Sequence, residues 1–314
     1  MPDWLIERGI GETRAVRLEA GEIVEARILL DGAAPAGEIL PARLRRTGVP
    51  AIAEAAGQEY LLPKGVPGLT EGASVKIEVT REIIPGAEPW KRPLARLADG
   101  SERTAQPLDG EVVPFPAPVD RLRDLGWDDL LDEARSGVVA FAGGELRVSL
   151  TPAMTLIDVD GHLPPHDLAA AGAKAAAGAI LRHGIGGSIG IDLPTLSGKA
   201  QRQAVGEAID QALPQPFERT AMNGFGFLQI VRPRRHASLF ELAADRATFE
   251  ARALLRQSAL GPPGAKRLVA HPAVIAVLES RSDWLDALAR QIGGAVALRS
   301  DPSLPIHGAY AQGG

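Results

Sequence analysis

The sequence predicts a mixed α/β protein of more than one domain, and three observations carry that expectation. Short strand-like runs punctuated by Gly and Pro fill residues 37–98, the pattern of a small β-barrel. From Thr155, a strand, an alanine-rich helix and a second strand follow within about forty residues, which is a βαβ unit with parallel strands. Strand, helices and strand recur beyond "GPPG" at 261–264, giving a small C-terminal α/β unit. With 314 residues and 45% hydrophobic content, the chain can bury more than one core.

Each element has a local reason. "ETRAVRLEAGEIVEARILL", residues 12–30, alternates apolar and polar positions on both sides of "EAG" and reads as a hairpin. "GEILPARLRR", "AIAEAA", "EYLLP" and "ASVKIEVTREI" supply the strands of the barrel, with Val75, Ile77 and Val79 in strict alternation. Seven prolines between 85 and 118 exclude a helix or a central strand and predict a linker. Leu122, Leu125, Leu130 and Leu131 around Trp127 predict a short helix, and "GVVAFAGGELRVSLTP" turns back on itself at Gly143 and Gly144. "MTLIDVD" is a strand. "HDLAAAGAKAAAGAILRHG" is a helix with Leu168, Ala171, Ala175 and Ala179 as its small face and Gly184 as its cap. "GGSIGIDLP" is the second parallel strand, and "SGKAQRQAVGEAIDQAL" an amphipathic helix. "FERTAMN" and "FGFLQIVRP" read as two strands, and "SLFELAADRATFEARALLRQSAL" as one long helix. The expected domains are N-terminal strands at 1–36, a barrel at 37–98, a proline-rich linker at 99–121, an α/β domain at 122–237, and a helix plus α/β unit at 238–314.

Composition limits the chemistry. The chain has no cysteine, which excludes disulfides, thiolate zinc sites and cysteine nucleophiles and fits a reducing compartment. No run of 18 apolar residues occurs and the N-terminus carries charge, so neither a membrane span nor a signal peptide is expected, and the expected location is cytoplasmic. A net charge of -5 means that any polyanion contact must come from a local basic cluster.

"TLIDVDG" at 155–161 drives a strand into two aspartates. In a parallel sheet both strands of a βαβ unit end on the edge where α/β proteins place their sites. Asp158 at the end of the first strand and Asp192 at the end of the second would then face one locus, with Asp160 projecting from the same side as Asp158. An oxygen-only cluster of this kind suits Mg²⁺ or Mn²⁺. Aspartates also end strands simply because they form turns and caps, and spacing alone leaves both readings open.

The order of these blocks resembles the ribonuclease E/ribonuclease G family. "TLIDVDG", then "GIGGSIGIDLPTLSGKAQRQAV", then "GFGFLQIVRPR" are similar to its catalytic block. "GETRAVRLEAGEIVEARIL" resembles its opening hairpin, residues 37–97 its inserted OB-fold barrel, and "LVAHPAVIAVL" its terminal small domain. The resemblance implies an RNase H-like/DNase I-like catalytic region in which Asp158 and Asp192 hold a catalytic Mg²⁺ (or Mn²⁺), with Asp160 as the third catalytic residue. Asp160 stands where the family usually has an asparagine that orients the reacting phosphate. An ionised carboxylate only accepts hydrogen bonds, so this is a departure. The paired-cysteine zinc link between subunits is missing, which excludes a zinc-linked dimer, and the region that reads an RNA 5′ end is much shortened. In the barrel, Tyr60 corresponds to one base-stacking aromatic and Ile52 occupies the other aromatic position. "RPRRH" at 232–236, with Arg232, Arg234 and Arg235, is the densest basic cluster. Together with Lys199, Arg202 and Arg219 it is the expected contact for an RNA backbone. The implied activity is metal-dependent endonucleolytic hydrolysis of single-stranded RNA to 5′-phosphate and 3′-hydroxyl ends, in RNA processing or decay. The alternative is a non-catalytic RNA-binding protein on the same scaffold.

Overall fold

The hairpin expected around "EAG" forms because Ala20 and Gly21 both take positive φ, 51° and 86°, the backbone a two-residue turn requires. It belongs to a computed structural model that describes residues 4–86, 91–106 and 108–313. In chain order, β1 (Trp4–Arg8), β2 (Glu12–Glu19) and β3 (Glu22–Leu30) precede β4 (Ile39–Arg46), β5 (Ala51–Ala55), β6 (Gln58–Leu62), β7 (Ser74–Arg81) and β8 (Leu94–Leu97). After β9 (Gly110–Val113) come α1 (Arg121–Asp124), α2 (Trp127–Ser136), β10 (Val138–Phe141), β11 (Gly144–Leu150) and β12 (Thr155–Gly161). Then follow α3 (Pro165–Arg182), β13 (Gly187–Asp192), α4 (Lys199–Ala212), β14 (Glu218–Arg219), β15 (Phe227–Arg232), α5 (Leu239–Ala244) and α6 (Arg246–Leu260). The chain closes with β16 (Lys266–Ala270), α7 (Pro272–Glu279), α8 (Ser282–Ile292), β17 (Val296–Ser300) and β18 (Tyr310–Gly313). The architecture is mixed α/β, and two compact units account for it: Met1–Gly32, Leu108–Asp128 and Leu242–Gly314 in one, Ala33–Pro107 and Asp129–Glu241 in the other.

The second unit contains a closed five-stranded barrel of order β4-β5-β6-β8-β7. Ala42, Leu44, Ala53, Tyr60, Leu62, Ile77, Val79 and Ala95 fill its interior. Four of its strands are those expected. The fifth, β8, lies inside the proline-rich stretch: "LARL" follows Pro93 and keeps its amide groups free for pairing. Residues 87–90 and 107 of that stretch lie outside the described residues. The expected linker at 99–121 is also corrected, because β9 within it pairs in parallel with β1.

The same unit carries a six-stranded sheet of order β10-β11-β12-β13-β15-β14. Its centre is the parallel pair β12–β13, joined by α3 as expected of a βαβ unit. The helix seats against β12 at Gly172, where a Cβ would come within 2.3 Å of Val159 Cγ1. Its buried face is Leu168, Ala169, Gly172, Ala173, Ala176, Ala177, Ala179 and Ile180, which includes the expected Leu168 and Ala179 but not Ala171 and Ala175. Gly184 follows the helix at φ 67°, and the amides of Gly184 and Ile185 close the last turn onto Leu181 and Ile180, the cap the sequence predicts. His183 is fully buried at this end, its Nε2 2.8 Å from Glu133 Oε2 and its ring 4.7 Å from that of Phe240.

In the first unit, β3-β2-β1-β9 form one sheet and β17-β16-β18 another. The N-terminal strands therefore have a sheet of their own and do not extend the six-stranded one. The expected single helix over 238–260 is two, α5 and α6, separated at Asp245, which stands as N-cap of α6. Ile10 packs in one core with Leu254, Leu255, Leu268, Val274, Leu278, Trp284 and Leu288. Gly11, at φ 74°, lies against Trp284 so closely that a Cβ would meet the indole at 2.5 Å. A buried charge cluster completes the unit: Arg256 bonds both oxygens of Glu7 at 2.9 and 3.0 Å and reaches the Asp120 carboxylate, while Arg14 bonds Glu7 at 2.8 Å and pairs with Glu12 at 2.6 Å. Glu7, Asp120 and Arg256 each come from a different one of the three chain segments that build the unit. Among the described residues no helix is long and apolar enough to cross a membrane.

Candidate functional site

The register of β12 and β13 sets Asp158 directly opposite Asp192, the last pair of their parallel ladder. Strand β12 then runs on alone beside β11, pairing Asp160 with Glu145 and Gly161 with Gly144. Asp160 thus projects past the end of β13, on the same face as Asp158, because side chains alternate along a strand. Leu156, Asp158 and Asp160 occupy one face while Ile157 and Val159 are buried on the other. Glycine is required where the strands converge. At Gly144 a Cβ would meet Asp160 O at 2.2 Å, and at Gly161 it would meet Gly143 O at 2.4 Å. The run ends in glycine because the backbone of the β10–β11 hairpin approaches too closely for a side chain.

Asp158, Asp160 and Asp192 are all exposed. Partial burial and then the carboxylates of Asp160 and Asp192 push the Asp158 carboxyl above its ordinary pKa, against a smaller opposing effect from Arg147. Among the described residues neither Asp158 nor Asp192 forms an ion pair, whereas Asp160 Oδ2 lies 3.5 Å from Arg147 Nε. Arg147 also bonds Glu145 at 2.7 Å and stands opposite Asp158 in the β11–β12 ladder. The sequence reading missed this arginine. Its signal was the alternation in "ELRVSL", which points Glu145, Arg147 and Ser149 to the face of Asp158 once the antiparallel partner is known.

The donor set fits a hard divalent cation in one specific sense. Two in-register carboxylates with mutually repelling charge and no ion pair among the described residues suit Mg²⁺ or Mn²⁺, which are commonly held by one or two carboxylates with water and substrate oxygens completing the shell. Among the described residues no group of three or more His, Cys, Asp or Glu side chains is arranged as an all-protein cage, so Asp160 does not join Asp158 and Asp192 as a third ligand.

The expected RNA contacts divide. Tyr60 is 3% exposed and belongs to the barrel core, so the stacking role expected of it is corrected: its ring presents no free face to a base. Its inward direction follows from the β5–β6 ladder, which sets it beside Ala53. Ile52 is buried as well. Arg202 donates to the carbonyls of Leu196 and Ser197 at 2.6 and 2.9 Å, holding the loop that follows Asp192. Arg219 is paired with Asp210 through two hydrogen bonds, at 2.7 and 2.5 Å. Arg234 is bonded to Glu241, whose other oxygen accepts from Ser238 N and Oγ at 2.7 and 2.9 Å. Arg232 is half-buried in β15, while Lys199 and Arg235 are exposed. The basic cluster also lies at the wrong end for the carboxylates. Arg232 pairs with Gly187, at the start of β13, about 17 Å along the strand from Asp192.

No family model matches the chain, and no curated protein matches its sequence.

Proposed function

We propose that the protein is a Mg²⁺- or Mn²⁺-dependent endoribonuclease of the ribonuclease E/G type, hydrolysing single-stranded RNA to 5′-phosphate and 3′-hydroxyl ends. The observation that carries this reading is the register pairing of Asp158 with Asp192, two exposed carboxylates that form no ion pair among the described residues, at the edge of a parallel strand pair. The five-stranded barrel supports it as an OB-type module, and the order of sequence blocks shared with the ribonuclease E/G family supports it further.

On this reading Asp158 and Asp192 are the cation's two protein ligands. When bound, a divalent cation supplies Lewis-acid polarisation of the phosphodiester and a bound water of lowered pKa. Asp160 stands next to the reacting phosphate, where a free carboxylate would repel it. Arg147, paired with Asp160, offsets that charge and offers guanidinium donors on the same sheet face, a geometry suited to phosphate oxygens. Lys199, exposed at the start of the helix that follows Asp192, gives sequence-independent attraction to the RNA backbone.

The test is cleavage of a fluorescent single-stranded RNA with and without Mg²⁺, with Asp158→Asn and Asp192→Asn as controls. Metal-dependent cleavage by the parent and its loss in both variants is the expected result. RNA binding without cleavage would assign the non-catalytic alternative instead.

A further inference from the structure

Phe225 is 86% exposed, the most exposed of the large apolar side chains among the described residues. Its loop is nonetheless tightly built. Asn223 Oδ1 accepts from the amides of Phe225 and Phe227 at 2.9 and 3.0 Å, and the Asn223 amide donates to the Phe227 carbonyl at 2.9 Å. Gly226 adopts φ 98°, and a Cβ there would lie 2.1 Å from Leu193 O, so only glycine lets this loop close onto the chain leaving β13. Leu193 N donates to Gly226 O at 3.2 Å, and Thr195 Oγ1 donates to Phe225 O at 3.3 Å. The loop is therefore stitched to the residues that directly follow Asp192, and Phe227, two positions on, is Asp192's own partner in the β13–β15 ladder. A rigid backbone that holds an aromatic ring out into water has no folding purpose. Burial is what normally repays such a side chain.

We propose that Phe225 is a base-stacking platform that positions a nucleotide of single-stranded RNA beside Asp158 and Asp192. This inference rests on the nuclease reading of that sheet edge. The chemistry fits: every base offers a π-face, and stacking on an aromatic ring tolerates any sequence. With Tyr60 withdrawn into the barrel core, Phe225 supplies an aromatic surface at the carboxylate edge itself. It acts as a positioning residue, holding a nucleoside so that the adjacent phosphate meets the carboxylate pair.

The experiment compares the parent with Phe225→Ala, Phe225→Leu and Phe225→Trp. Cleavage of a fluorescent RNA gives kcat and KM separately. Binding of the same RNA is also measured in EDTA, in the parent and in an Asp158→Asn background. Ala and Leu should raise KM, and Kd in EDTA, by about 5- to 100-fold with kcat nearly unchanged, and Trp should restore both. The emission added by Phe225→Trp, above that of the chain's 4 native tryptophans, should be quenched by RNA but not by an abasic ribose-phosphate oligomer of the same length. Equal affinity of the Ala variant and the parent, or equal quenching by the abasic oligomer, would overturn the proposal, as would a loss of self-association in the Ala variant with RNA affinity intact. Because binding and quenching need no turnover, loss of RNA affinity in Phe225→Ala with no cleavage by the parent would sink the nuclease reading and leave the stacking platform standing. Cleavage indifferent to residue 225 would do the reverse.

Discussion

Asp158 faces Asp192 across two parallel strands, and the like charge of its neighbours helps hold the Asp158 carboxyl above its ordinary pKa. The sign of the consequence is fixed. A carboxyl whose folded-state pKa is raised favours the folded state at low pH, and that contribution is lost as pH rises through the raised value. At neutral pH the pair therefore costs stability, though by less than about 1 kcal/mol because both groups are exposed to solvent screening. Asp158→Asn and Asp192→Asn should each lower cleavage at least about 100-fold while leaving the thermal midpoint equal to or slightly above that of the parent. Mg²⁺ titrations across pH should show apparent affinity falling as pH drops through the Asp158 value. A lower midpoint in both variants would mean that the carboxylates serve the fold.

Asp160 and Arg147 form the second test. Replacing Asp160 by Asn removes a charge that repels phosphate and installs a donor, so kcat/KM should rise about tenfold or more. Arg147→Ala should lower it, and the effect of Arg147→Ala should shrink in the Asp160→Asn background, where less charge needs offsetting. Single-turnover rates of the four proteins give the coupling directly. No change in Asp160→Asn would remove residue 160 from the reaction.

Tyr60 separates core from contact. Tyr60→Phe should leave RNA affinity and thermal midpoint nearly unchanged, whereas Tyr60→Ala should destabilise the barrel by about 3–5 kcal/mol through the cavity it opens. Filter binding and thermal melts distinguish the cases, and a selective loss of RNA affinity in Tyr60→Phe would restore the contact role.

Arg256 joins Glu7 and Asp120 inside the first unit. Burial works against the Asp120 carboxylate, but the hydrogen bonds from Arg256 and from the Arg123 amide, together with the charges of both arginines, outweigh it and hold its pKa below the ordinary value. A depressed folded-state pKa contributes stability above the unfolded value, lost as pH falls through the folded one, so acid should loosen this unit in that window. Arg256→Ala leaves Asp120 without its guanidinium partner and Glu7 with Arg14 alone, and should cost about 3–5 kcal/mol, whereas Arg256→Met should cost less if the Glu7 charge is removed with it. Denaturant melts of the single and double variants measure the difference.

Much of the second unit was legible because its signals are local. Strict alternation at Val75, Ile77 and Val79, glycines at the hairpin turns, and the breaks after "IDVD" and "GIDLP" gave the strands and brought Asp158 and Asp192 to one edge. What failed was information held by neighbours. In an alanine-rich helix hydropathy barely distinguishes faces, so the buried stripe is chosen by the approach of Gly172 to Val159. The proline-rich stretch hid β8, although it pairs with β7 just before it, and β9, whose partner β1 lies far away in sequence. The charges of Arg202, Arg219 and Arg234 read as contacts for an RNA backbone, yet each has an internal acceptor that spacing does not reveal. The "NGFGF" run did carry a signal, an aromatic held between glycines in a polar turn, and it went unread.

Ile10 packs against side chains from Ala251 to Ile292. A ribosome therefore releases the first strands long before it makes the helices that cover them, and during that interval their apolar faces wait exposed. The barrel and the six-stranded sheet, whose partners all lie between positions 33 and 241, are free to form in the meantime. Pulse-labelled nascent chains should thus gain protease resistance first in the middle of the polypeptide and at both ends only after release.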